Sequence, residues 1–164
     1  GNSPGSLDLV KLGRLDAFIA DNSVHAPLAA SGAEMHAFSV DPYVAIPGQV
    51  YLTSQAILDS DPDMLLAFLK GVKEAVEFIA ADSDASKTIA AMKPFAFPEL
   101  DSPGLVTHTL QAELKLWLAH GQAGVGKVMP EAWTKGHAQI TAARMIPEGG
   151  DASLCYTTAI SDKL

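Results

Sequence analysis

One cysteine, Cys155, in 164 residues excludes an intramolecular disulfide and any zinc site built from several cysteines. Compartment stays open, because a periplasmic protein need not carry a disulfide. No run of 18 uninterrupted apolar residues occurs, so no transmembrane helix is expected. Basic side chains are few: 11 Lys and Arg against 19 Asp and Glu leave a net charge of −8. A surface of that sign repels phosphate backbones and anionic membranes, which removes nucleic acid from the expected partners. Initiator Met and signal peptide are lacking, and Gly1-Asn2-Ser3-Pro4-Gly5-Ser6 opens the chain with turn residues. A processed, truncated or incompletely observed form is therefore expected.

What is present is 48% apolar and 18% charged, the balance of a soluble globular protein. The length allows one ordinary domain with a core, or parts of two small lobes. Ser6 can cap a short helix, SLDLVKLG, that Gly13 closes. The run DAFIA, residues 16 to 20, has no helical period and reads as a buried parallel strand. Asp21, Asn22 and Ser23 then break the strand and cap SVHAPLAASG, which Pro27 keeps short or irregular. EMHAFSV reads as the next strand, completing an α/β unit whose right-handed crossover makes its strands parallel neighbours.

Residues 39 to 55, SVDPYVAIPGQVYLTSQ, hold two prolines and a glycine between strand-like stretches. QVYLTS reads as a strand and QAILDS as the start of a helix. Asp61-Pro62 starts a further helix, a cap followed by proline at the first helical position. Leu65, Phe68, Leu69, Val72, Val76 and Ile79 recur at helical spacing through residue 80. DASKTIAAMK forms a shorter helix stopped by Pro94, Ser102-Pro103 starts another with a stripe ending near Gly121, and Pro130 starts the last long helix, to about Ile146.

Motifs with chemistry are scarce. GQAGVGKV, residues 121 to 128, matches the phosphate-loop pattern up to Lys127 and then places Val128 where a Mg²⁺-binding Ser or Thr belongs. It also follows a helix rather than a strand, so it reads as an inter-helix loop. His25, His36, His108, His120 and His137 form no metal-binding pair, and no metal or cofactor is expected. No G-x-S-x-G elbow is present, and no enzyme is indicated. The strand-end group Asp21, Asn22 and Ser23 is the candidate ligand contact, because ligands of open α/β sheets bind beyond strand ends. The alternative, helix capping alone, is compatible with it.

The segments GRLDAFIAD and DPYVAIPGQVYLTSQAILDSDPDMLLAFLKGVKEAVEFIAADSDAS resemble the second half of ABC-transporter substrate-binding proteins. The resemblance is to the nitrate/sulfonate/taurine and thiamine-pyrimidine-precursor type. It is carried by Gly13, Asp16 and Ala17, by Pro47 and Gly48, by Asp61, Pro62 and Asp63, and by Phe68 and Leu69. It implies a partial chain of the type II periplasmic-binding-protein fold, α/β with a helix-rich C-terminal part. Residues 1–40 would end one α/β lobe, 41–48 would form an interlobe crossover, and 49–164 would complete the other lobe. The family is about twice this length, so its N-terminal half would be missing.

By the same resemblance, Asp21, Asn22 and Ser23, with Asp41 and Tyr43 of the crossover, would contact the ligand. The implied function is a non-catalytic receptor that captures a small organic solute and presents it to an ABC permease. Its expected place is periplasmic or extracellular, with a lipid anchor on the full-length form, and its expected state is a monomer. The alternative is the ligand-sensing domain of a transcription regulator on the same fold. Lys11 and Arg14 are the only basic side chains between residues 1 and 60, which favours an amine-bearing or aromatic solute over a sulfonate.

Overall fold

A computed structural model describes residues 5–21, 24–25, 28–29, 32, 34–40, 42–44 and 46–164. Helical residues make up 58% of these, and none is in a strand. The chain divides into two compact units: Gly1–His36 with Ala75–Gln122, and Ala37–Glu74 with Ala123–Leu164.

In the first unit, helix α1 (Gly5–Lys11) buries Leu7 and ends where Gly13 takes a left-handed φ of 66°. That conformation lets the Gly13 and Arg14 amides turn back onto the carbonyls of Val10 and Leu9. Helix α2 (Gln55–Ser60), in the second unit, is capped by the Ser54 hydroxyl, which accepts from the Ile57 amide at 3.2 Å. Asp61 starts α3 (Pro62–Ala80) by accepting from the Met64 amide at 3.1 Å, with Pro62 as the first helical residue. The cap and proline seen in the sequence therefore act as expected, and α3 ends at Ala80 as its apolar period does.

After α3, the Asp82 carboxylate accepts from both the amide and the hydroxyl of Thr88, at 2.7 and 2.8 Å, and both residues are buried. These bonds fix the start of α4 (Ser86–Met92). Helix α5 (Pro103–Trp117) is tied to the same turn by Gln111, whose Nε2 donates to the Ser83 carbonyl at 3.2 Å. Leu7, Val24, Val76, Ala85 and Val106 make the first unit's buried apolar core. In the second unit, α6 (Pro130–Ala142) is followed by short 3-10 turns, and among the described residues Val125 and Ile160 are the buried apolar ones.

The α/β, type II periplasmic-binding reading is corrected here. None of the expected strands, DAFIA, EMHAFSV or QVYLTS, is one among the described residues. Residues 16–20 and 46–52 make no main-chain hydrogen bond to another segment. Each of the three stretches leaves a large apolar side chain outside: Ile19 is 83%, Phe38 84% and Leu52 89% exposed. The physical reason is that a strand exists only through a ladder to a second strand. A short apolar run specifies an apolar environment and supplies no pairing partner. Helices close their hydrogen bonds within the segment, which is why those expectations survive.

Candidate functional site

Helix α6 places Trp133, Gly136, His137 and Ile140 at helical spacing, one face of the helix. Against that face lie Ile46, Pro47, Gly48 and Val50, and the 3-10 turn Ala152–Cys155 adds Ala152 and Cys155. Together they line a groove of about 150 Å³ within the second unit. Gln139 helps hold the segment: its Nε2 donates to the Tyr43 carbonyl at 3.0 Å. The Trp133 ring stacks on Tyr156, with centroids 5.6 Å apart and planes tilted by 30°, which fixes the indole at the wall of the groove.

His137 brings an imidazole to the groove. Its ring lies against the Gly150 backbone, so close that a Cβ there would stand 2.9 Å from Nε2. The next residue, Asp151, accepts from the Ser153 amide at 2.8 Å and so caps the turn that carries Cys155. Hydrogen bonding from Ser153, side chain first and amide second, holds the Asp151 carboxyl below its ordinary value, with a smaller contribution from His137. Among the described residues, no Lys, Arg, Asp or Glu lines the groove. Among the described residues, no group of three His, Cys, Asp or Glu is placed to hold a metal ion.

A larger hollow of about 390 Å³ lies beside Glu34, Met35 and His36 in the first unit. Among the described residues these three line it, whereas three segments of the second unit line the smaller groove.

Of the residues expected to touch a ligand, Asp21 is in the first unit and exposed. Its carbonyl accepts from the amides of Val24 and His25 at 3.2 and 2.9 Å. Asn22, Ser23 and Asp41 lie outside the described residues. Tyr43 belongs to the second unit, is 75% exposed, and meets α6 through its carbonyl while its ring stays out of the groove. Sequence reasoning missed Trp133, His137, Ile140 and Cys155. The helical spacing of the first three was visible, but the segment that would face them was not.

Lys127, the lysine of the phosphate-loop look-alike, donates from Nζ to the Ser161 carbonyl at 2.8 Å. Gly126 beside it has φ of 75°, and a Cβ there would come within 2.8 Å of Leu164. The segment thus anchors residues 160–164 onto the second unit. Searches of protein-family models, curated proteins and solved structures found no match to the chain.

Proposed function

We propose that this chain is a non-catalytic solute receptor that holds a small, flat organic molecule in the groove between α6 and residues 46–50. The groove carries the reading: an aromatic wall at Trp133, aliphatic walls at Ile46, Val50 and Ile140, and one imidazole, with no charged side chain among the described residues of its lining. Apolar walls with a few polar groups describe small-molecule sites in general. A volume of about 150 Å³ takes roughly one aromatic ring, the size of a benzene-binding cavity. An anionic sulfonate would find no cation to pair with there, whereas an amine-bearing or aromatic solute meets an indole face and the imidazole.

The sequence resemblance to ABC-import receptors supplies the physiological role in this proposal. The solute would be handed to a membrane permease from the periplasmic or extracellular side, and no cofactor takes part. Among the described residues, no helix is long and apolar enough to cross a membrane.

A thermal-shift screen of the protein against small solutes tests the reading, because a ligand bound only by the folded state raises Tm. An aromatic amine is expected to raise Tm, and Trp133→Ala to weaken its binding about tenfold or more. A screen in which no small solute shifts Tm overturns the proposal.

A further inference from the structure

His137 is partly buried in the groove wall, and among the described residues neither nitrogen of its ring takes part in a hydrogen bond. Only its main chain is engaged, the carbonyl accepting from the Thr141 hydroxyl at 2.8 Å. A neutral imidazole always offers one donor nitrogen and one acceptor nitrogen. Trp133, the other nitrogen-bearing side chain of the lining, can only donate, and the Cys155 thiol is weak in both directions. The imidazole is therefore the one strong side-chain acceptor among the described residues of the groove.

Gly150 sets where that acceptor sits. A Cβ at residue 150 would stand 2.9 Å from Nε2 and 3.4 Å from Cε1 of the ring, the first well inside van der Waals contact. Gly150 does not have a left-handed φ, so a glycine serves there by leaving room rather than by its conformational freedom. The imidazole is the far end of a side chain that can turn about its χ angles, so a methyl group at residue 150 displaces the ring and leaves the fold in place.

Resting on the groove as a solute site, we propose that His137 decides which flat solutes it keeps, by accepting a hydrogen bond from an N–H or O–H on the solute's ring, and that Gly150 positions the imidazole for this. The solute class is then a single aromatic ring that bears an amine or a hydroxyl, and a plain hydrocarbon is discriminated against. Trp133 and the aliphatic walls read the ring and hold both kinds alike. The imidazole reads the substituent: a hydrocarbon strips water from its acceptor and returns nothing, whereas a donor on the solute replaces that water. A site built to hydrogen-bond its ligand rejects the analogue without the group more strongly than an apolar wall rejects one of different size.

Aniline and toluene share a shape and differ in the group at issue. Their dissociation constants, from calorimetric titration of the whole chain at mildly alkaline pH, where free imidazole is neutral, test the proposal. Wild type is expected to bind aniline about fivefold or more tightly than toluene. His137→Phe should remove that preference and leave toluene binding unchanged, and His137→Gln, which keeps an acceptor, should restore part of it. Gly150→Ala should reduce the preference without weakening toluene, whereas Trp133→Ala should weaken both ligands alike. Circular dichroism checks that the variants fold, and if His137→Phe does not, Gly150→Ala decides. Equal binding of the two ligands by wild type, or a preference that survives His137→Phe, overturns the proposal and leaves the groove standing as a solute site. Binding of neither ligand, with no other solute bound, overturns the solute reading and this proposal with it.

Discussion

The two units use hydrogen bonds and apolar surface differently. In the first, a buried carboxylate, Asp82, takes two donors from Thr88, and the apolar core draws on α1, α3, α5 and the turn before α4. In the second, the buried apolar residues among those described are Val125 and Ile160, while a groove and the Tyr51–Phe68 ring pair stay open. The lesson is that both units leave large apolar side chains outside, Ile19 and Phe95 in the first and Leu52 and Phe68 in the second, but only the first builds a core from several helices around a buried carboxylate.

That contrast breaks most easily at its cores. Leu7→Ala in the first unit should lower unfolding free energy by about 3 kcal/mol, whereas Leu52→Ala in the second should change it by less than about 0.5 kcal/mol. Chemical denaturation of the two variants checks the pair, and equal losses would erase the distinction. Asp82→Ala comes next, at about 2 kcal/mol, because it removes a helix cap and leaves the buried Thr88 amide without its acceptor. Thermal unfolding followed by circular dichroism reads that loss.

A smaller effect is expected where the second unit does close on itself. Gly126→Ala places a side chain at a left-handed φ and against Leu164, for a loss of about 1 kcal/mol seen as a lower Tm.

The smallest effect concerns pH. Asp84 is held below its ordinary value by hydrogen bonds from the Ser86 amide and side chain, and Asp151 by those from Ser153. A carboxyl with a lowered folded-state pKa stabilises the protein above the unfolded value near 3.8 and loses that contribution as pH falls through the folded one. Tm differences between wild type and Asp84→Asn or Asp151→Asn should therefore be present at neutral pH and vanish in acid. A difference that grows in acid would reverse the assignment. Both carboxylates are exposed, so the differences are small.

How much was legible in the sequence follows from the range of each interaction. Asp61, Pro62 and the stripe from Leu65 to Ile79 act within one helix, so α3 could be read to its ends. Gly13 closes α1 and Pro130 opens α6 for the same local reason. DAFIA and QVYLTS could be read as strands only by assuming partners, and the assumption failed. The groove was half legible: the face of Trp133, His137 and Ile140 is periodic, but that Ile46, Pro47 and Val50 lie against it depends on tertiary packing. The role of Lys127 was hidden too, since Ser161 lies 34 residues away.

Hydrogen exchange on dilute, monomeric protein tests the contrast most directly, because it reports main-chain pairing residue by residue. The Thr88 amide, buried on Asp82, should be among the slowest to exchange, and the amides of Gly48 to Leu52 should exchange at nearly the free-peptide rate. Protection of residues 48–52 in the monomer would mean that they are paired in a sheet, and would contradict the account.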